Sequence, residues 1–128
     1  MLKSFRLPIL AMCVFAAPLA AQDAEAALAA KLVGSWEGRW TYADAGGKAT
    51  LKITAATGAA LKGVTKWFDT AVGDFEDTIK KTKFKGAKLQ VTESTMDFEV
   101  QVAEDGKTLT GTWASPVASG PLTLKKVD

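Results

Sequence analysis

The sequence contains no histidine and a single cysteine, Cys13, which lies within the first 21 residues. Residues 1–21 have the pattern of a secretory signal peptide: a basic start, an apolar run from 7 to 17, and small residues before a polar segment. The apolar run is too short to span a bilayer as a stable helix. We therefore predict cleavage after Ala20 or Ala21, followed by export to the periplasm, or secretion if the host lacks one.

The predicted mature chain has neither cysteine nor histidine. This excludes disulfides, cysteine nucleophiles, Ser–His pairs, and thiolate or imidazole ligands for a metal or haem. We therefore predict no metal, no cofactor, no catalytic residue and no enzymatic activity. Stability without disulfides must come from an apolar core.

A lipid anchor on Cys13 is the alternative to cleavage. It requires a small residue directly before the cysteine, where this sequence has Met12, and the apolar run continues past it through Val14 and Phe15. The sequence therefore favours cleavage.

The basic character of the whole chain comes from the signal peptide. Lys3 and Arg6 belong to it, among 16 basic residues in all, whereas none of the 14 acidic residues does. The mature chain is therefore neutral, and we do not expect nucleic acid as a partner. We also expect no transmembrane segment in the mature chain.

Three Leu-x-Gly copies, at residues 32–34, 61–63 and 109–111, indicate a curved β-structure. Residues two apart share a face of a strand, and a glycine between large residues permits bending. Alternating hydrophobicity predicts strands at about 34–42, 48–55, 61–68, 75–84, 88–93, 97–103, 108–114 and 121–127. The residues expected to point inward on the second and last strands are Ala49, Leu51, Ile53, Leu122 and Leu124. Residues 44–47 are predicted to form the first turn.

These patterns predict one all-β domain over residues 34–128, preceded by a short helix over 22–33. Short turns favour an antiparallel up-and-down meander, and eight strands can close into a barrel. An open sandwich is the alternative.

Gly34-Ser35-Trp36 resembles the Gly-x-Trp that opens the first strand of calycins, the lipocalin-like and avidin-like barrels. The resemblance implies a basic side chain over that tryptophan, for which Lys126 is preferred to Lys125. A closer resemblance is to a small secreted bacterial domain of uncharacterised function, through Gly34–Gly38, the stretch 105–113 and Pro121–Leu124. This resemblance implies a barrel and an extracytoplasmic setting, and no catalytic residues.

Four tryptophans are the candidate ligand-binding residues: Trp36, Trp40, Trp67 and Trp113. They could line a pocket for an apolar or aromatic ligand. They could equally fill the interior, since eight strands enclose room only for side chains or one small ligand. Rings of neighbouring strands lying in the glycine spaces would favour a solid interior.

Five lysines surround Phe84 and form the candidate surface-binding site: Lys80, Lys81, Lys83, Lys85 and Lys88. They could contact an anionic surface or an acidic envelope protein. They could also be a solvated face, or protect a strand edge from pairing. All are lysines, so bidentate phosphate recognition is not expected.

Asp74, Glu76 and Asp77 are predicted to be a solvated strand start with no calcium-loop spacing, in which Asp74 and Glu76 share one face of the strand and Asp77 points to the other. An enzyme would need a buried carboxylate pair with a shifted pKa, and these outward-leaning residues argue against one. Arg39 is the only arginine of the predicted mature chain, and it is expected to point outward beside Glu37.

The leading hypothesis is therefore a non-catalytic exported protein that binds a small apolar or aromatic ligand in a barrel. The alternative is an envelope interaction module with a solid core that binds a protein or an anionic surface through Lys80–Lys88. An enzyme ranks third.

Overall fold

The computed structural model describes residues 23–127, which form helix α1 (23–32) and eight strands. The strands are β1 (Gly34–Tyr42), β2 (Ala45–Thr57), β3 (Ala60–Thr70), β4 (Gly73–Lys85), β5 (Lys88–Glu93), β6 (Asp97–Val102), β7 (Thr108–Ala114) and β8 (Ser119–Lys126). The predicted signal peptide, its cleavage site and Cys13 lie outside the described residues.

The strands form a closed antiparallel barrel in chain order. Each strand pairs with its neighbours in sequence, and β1 also pairs with β8, so that Trp36 lies opposite Lys126. The predicted all-β up-and-down barrel with a short N-terminal helix is confirmed, and the sandwich alternative is wrong. β5 is paired along both sides, whereas β4 pairs with β3 only up to Thr78 and with β5 only from Ile79 onward.

The strand bounds of β1, β5 and β7 agree with the prediction, whereas the first turn does not. The chain reverses at Ala43 and Asp44, with Ala43 at a φ of 51°. Ala45–Gly47 then continues as β2, in register with the last residues of β1. Asp-x-Gly-Gly favours a turn locally, and cross-strand pairing overrides that preference here.

The two ends of the barrel are built differently. We call the end that carries α1 the helix end, and the opposite end, formed by the connections 43–44, 71–72, 94–96 and 115–118, the loop end. At the helix end, Ala29 and Leu32 are fully buried. The Lys126 ammonium donates to Lys31 O at 2.9 Å. These contacts fix α1 against the barrel.

Inward alternation fills the interior mainly with apolar side chains, including the predicted inward residues Ala49, Leu51, Ile53, Leu122 and Leu124. Among residues 23–127, three polar side chains are also buried: Thr65, Asp77 and Glu93. All three lie on the loop-end half of their strands or midway along them. The interior is therefore apolar near the helix and partly polar near the loops.

Candidate functional site

The four predicted ligand-binding tryptophans all point inward and are buried. Three of them donate the indole N–H to a main-chain oxygen at 2.9 Å: Trp36 to Leu32, Trp40 to Phe68 and Trp113 to Thr41. Each of these bonds ties one element of the fold to another. Only the rings of these residues remain for ligand contact, because their single donors are in use.

Two of these rings occupy the space that neighbouring glycines leave. A Cβ atom at Gly47 would lie 2.8 Å from Trp40 Nε1, and one at Gly120 would lie 3.1 Å from Trp113 Nε1. Trp40 and Trp113 also pack edge to face, with ring centroids 5.9 Å apart. At Gly63 and Gly111, the glycines of two Leu-x-Gly copies, a Cβ atom would instead meet the main-chain oxygens of Lys52 and Glu99. The criterion set from the sequence is therefore met at Trp40 and Trp113, where it favours a filled interior.

Trp67 differs from the other three because its indole N–H makes no hydrogen bond of good geometry, although it lies close enough to Glu93 to lower the pKa of that carboxyl. It lies on β3, two residues from Thr65 on the same face, and Thr65 donates its hydroxyl to Glu93 Oε2 on β5. The other oxygen of that carboxyl, Glu93 Oε1, is buried and unpaired. The barrel thus holds an unpaired donor and an unpaired acceptor close together, and buried groups of this kind are rare in native proteins.

Burial shifts the titration of Glu93. Burial inside the barrel is the main cause that raises the pKa of Glu93, and the negative charges of Asp77 and Asp97 also raise it. The Thr65 hydroxyl and the nearby Trp67 indole lower it, but by less. All effects together bring this pKa from 4.5 to about 7. Glu93 therefore exchanges its proton near neutral pH instead of being fully ionised there.

Asp77 is a buried anchor for the loop between β5 and β6. Its two oxygens accept main-chain N–H bonds of 2.8–3.0 Å from residues 78, 94, 95 and 96. Because Glu93 directly precedes that loop, Asp77 also fixes where Glu93 stands. The predicted solvated strand start is wrong for Asp77, which follows the inward alternation of β4.

The other two acidic residues of that segment are exposed, as expected. Asp74 accepts a bond from Asp69 N at 2.8 Å, and Glu76 lies 3.9 Å from Lys66 Nζ. Residues 23–127 contain no group of three side chains arranged to hold a metal ion.

The five predicted surface-binding lysines are all exposed on β4 and β5, and we call Lys80, Lys81, Lys83, Lys85 and Lys88 the lysine face. The register of β4 against β5 shifts between Ile79 and Lys81. This β-bulge lets the consecutive Lys80 and Lys81 both face solvent, which strict alternation forbids. Phe84 is buried beneath them.

Charge compensation on the lysine face is sparse. Lys88 Nζ lies 3.7 Å from Glu99 Oε1. Within the described chain, the other four lysines of the face form no ion pair. Lys85 and Lys88 are direct cross-strand partners, an arrangement of like charges that destabilises a sheet.

Among residues 23–127, two grooves on the outside of the barrel bear on the predicted residues. One, of about 340 Å³, runs over β1 and β8 and includes Arg39, which is exposed as predicted, beside Glu37. The other, of about 540 Å³, lies between α1 and the turn from β4 to β5. It adjoins the lysine face because Lys85 and Lys88 flank that turn.

Sequence reasoning missed Glu93, and it placed Asp77 on the face opposite Asp74 and Glu76 without predicting that Asp77 is buried. Alternation carries the signal for both, since Leu89, Val91 and Glu93 share a face of β5. Asp77 likewise lies between the inward Phe75 and Ile79 of β4. The partnership of Glu93 with Thr65 has no signal in the sequence because β3 and β5 are not adjacent in the barrel.

The chain matches no model of a known protein family, and no curated protein is significantly similar to it. Its closed eight-stranded barrel with a short helix is compatible with a calycin-like fold. Such a barrel is compatible with a binding protein. No helix within residues 23–127 has the length and apolarity that a bilayer crossing requires.

Proposed function

We propose that this protein is an exported, non-catalytic binding module, periplasmic or secreted, which holds an anionic partner against the lysine face while the solid barrel serves as a rigid scaffold. The observation that carries the proposal is the clustering of five exposed lysines, among which, within residues 23–127, only Lys88 forms an ion pair. Lysines on strands commonly protect a sheet edge from pairing. β5 is paired along both sides, so that explanation does not apply to Lys88, whereas the part of β4 beyond Thr78 pairs with β5 alone and edge protection is the competing explanation for its lysines.

The charge arrangement supports a binding role. Four lysines of the face have no ion pair, and Lys85 lies directly opposite Lys88, whose own ion pair is with Glu99, so an approaching anion would relieve like-charge repulsion on this face. The bulge at Lys80 adds a charge to the surface that regular alternation would turn inward. A concentration of positive charge in a chain of near-zero net charge attracts acidic surfaces locally.

The residue type narrows the partner. A lysine ammonium is a compact point charge that does not form the two-pronged bond of arginine to a phosphate or carboxylate. The lysine face therefore suits a surface with many negative charges, either an anionic polymer or membrane or an acidic envelope protein. Such binding weakens as salt screens the charges.

A non-catalytic role fits the way the buried carboxylates are bonded. Both oxygens of Asp77 accept main-chain N–H groups, so Asp77 serves as a structural anion. One oxygen of Glu93 is held by Thr65. Catalysis by a carboxylate pair needs a reacting atom within hydrogen-bond reach of both groups, and the bonds of Asp77 leave it no such freedom.

Dextran sulfate, a soluble polyanion, tests the lysine face. A triple variant, Lys81→Gln, Lys83→Gln and Lys85→Gln, should bind dextran sulfate at least tenfold more weakly at low salt, because each lysine near an anionic surface contributes about 1 kcal/mol. The matched control replaces three exposed lysines elsewhere: Lys52→Gln, Lys107→Gln and Lys125→Gln. Equal losses in the two triples would mean that only net charge matters and would overturn the proposal.

A second candidate function is the binding of a small apolar or aromatic ligand inside the barrel, the leading hypothesis from the sequence. The unpaired Trp67 Nε1 and Glu93 Oε1 favour it, since one ligand bearing a hydroxyl or amine could accept from the indole and donate to the carboxyl. Tyr42, 48% exposed, contacts the Trp113 ring at the loop end, where such a ligand would enter.

N-phenyl-1-naphthylamine, a neutral fluorescent amine, tests the second candidate. Saturable binding that quenches tryptophan emission and is lost in Trp67→Phe would support it. The rings of Trp36, Trp40 and Trp113 would then supply contact area. Absence of binding in the folded protein would leave the lysine face as the proposed binding site.

A further inference from the structure

The groove between α1 and the β4–β5 turn combines an apolar lining with a basic border. Ala24, Ala27 and Leu28 line it from the helix, and Gly86 and Ala87 from the turn. Leu28 is partly buried and packs against the barrel core. The groove has a volume of about 540 Å³ and is open to solvent along one side.

Three lysines lie at the border of this groove. Lys31 lines it directly, and Lys85 and Lys88 stand on either side of the Gly86–Ala87 turn. Glu25 also lines the groove and opposes an anion there. Lys126, bonded to Lys31 O at the end of α1, adds a fourth ammonium group at this end of the barrel.

Resting on the proposed function, we propose that the anionic partner is a phospholipid. An acyl chain would lie in the groove beside α1, while the headgroup would contact Lys31 and the lysine face. The apolar lining excludes a purely ionic occupant from the groove itself, and the lysines select a negative headgroup over a zwitterionic one. A soluble polyanion carries the negative charges that the lysines bind, but it has no acyl chain to fill the groove.

The geometry of α1 supplies a matched pair of variants. Ala27 is exposed and lines the groove, whereas Ala30 is exposed on the same helix and does not line it. Ala27→Asp and Ala30→Asp introduce the same charge on the same helix. A difference in binding between the two variants therefore reports the position of the charge relative to the groove. Circular dichroism establishes that both variants are folded.

Vesicles of phosphatidylglycerol and phosphatidylcholine are the probe, with pure phosphatidylcholine vesicles as the neutral reference. We expect the cleaved protein to sediment with the anionic vesicles only. Ala27→Asp should weaken that binding at least tenfold and Ala30→Asp less than threefold, while each lowers the affinity for dextran sulfate less than threefold, the electrostatic effect of one added carboxylate.

The outcomes separate the two proposals. If Ala27→Asp and Ala30→Asp bind vesicles equally, whereas the lysine triple variant loses both vesicles and dextran sulfate, the groove proposal is overturned and the lysine face stands. If the wild type binds neither probe, both proposals fail. If Ala27→Asp instead abolishes a self-association seen by sedimentation and spares vesicle binding, a second copy of the chain occupies the groove and the lipid proposal is wrong.

Monomeric short-chain phosphatidylglycerols provide a measurement that needs no variant. If the groove takes the acyl chain, affinity measured by calorimetry should rise about fourfold for each methylene buried, the ratio that corresponds to ~0.8 kcal/mol per CH₂. An affinity independent of chain length would overturn the proposal.

Discussion

The two ends of the barrel differ in how completely their polar groups are bonded, although the indoles of Trp40 and Trp113 at the loop end also bond to main-chain oxygens. At the helix end, the indole of Trp36 bonds to Leu32 O and the ammonium of Lys126 bonds to Lys31 O, so each donor meets a main-chain oxygen of α1. At the loop end, Asp77 is fully bonded, whereas Trp67 and Glu93 each keep an unpaired polar atom. The helix end is thus closed by satisfied bonds, and the loop end holds a site whose energy depends on its protonation.

This difference separates two roles that polar residues take inside one barrel. A buried polar group that is fully bonded fixes neighbouring elements in place, as Asp77 fixes the loop 94–96. A buried group that is left partly unbonded raises the free energy of the folded state. Glu93 is therefore the residue at which pH or a guest molecule can change the stability of the barrel.

The largest expected loss of stability follows from replacing Asp77, the fully hydrogen-bonded residue at the loop end. Asp77→Ala removes the acceptor of four main-chain N–H groups, and bonds to a charged group are each worth about 1.5–3 kcal/mol. Because water can reach part of the loop, we expect the free energy of unfolding to fall by about 4 kcal/mol. Urea denaturation followed by tryptophan fluorescence measures it.

Asp74→Asn is the control, since Asp74 is exposed and accepts a single main-chain bond. It should cost less than about 1 kcal/mol. If the two variants lose similar stability, Asp77 does not anchor the loop, and the contrast between the ends disappears.

The second prediction concerns pH. The pKa of Glu93 is about 7 in the folded barrel and 4.5 when unperturbed, so the folded state holds its proton more tightly than the unfolded chain. The stabilisation is fully present below pH 4.5 and is lost as pH rises to 7 and above. The free energy of unfolding should therefore fall by about 3 kcal/mol across that window, at 1.36 kcal/mol per unit of pKa shift.

Glu93→Gln keeps a neutral side chain of similar shape and should flatten this pH dependence. The exposed Glu76→Gln serves as the control and should leave the slope unchanged. A wild-type protein whose stability rises between pH 4.5 and 7, or a slope that survives in Glu93→Gln, would show that Glu93 does not titrate inside the barrel.

The sequence predicted the strands and most of their inward faces because both follow from a local period of two. β1, β5 and β7 have the expected bounds, and Leu51 and Leu122 are buried as expected. The bulge at Lys80 and the turn at Ala43 escaped prediction because both arise from pairing with a neighbouring strand. The partnership of Thr65 with Glu93 escaped it because the interior brings together strands that are not paired.

The candidate sites were predicted unevenly for the same reason. The lysine face was visible because surface charges cluster along one stretch of sequence, and each of its lysines is exposed. The four tryptophans were expected to act alike, yet their donors differ: three are bonded to main-chain oxygens and one is not. Which carbonyl an indole reaches depends on the closed barrel and cannot be read from alternation.

The smallest effect tests that difference between tryptophans directly. Trp36→Phe and Trp67→Phe remove the same atoms from two fully buried positions, so their losses of apolar contact are similar. Trp36→Phe also leaves Leu32 O without its donor, whereas Trp67→Phe removes a donor that had no partner. We therefore expect Trp36→Phe to lower the free energy of unfolding by about 1 kcal/mol more than Trp67→Phe, the usual net value of one hydrogen bond. The measurement is urea denaturation at pH 5. At this pH Glu93 is protonated in the folded state, so its ionisation does not contribute to the difference between the two variants. An equal loss in the two variants would mean that Trp67 donates a bond in solution, and the loop end would then be as fully satisfied as the helix end.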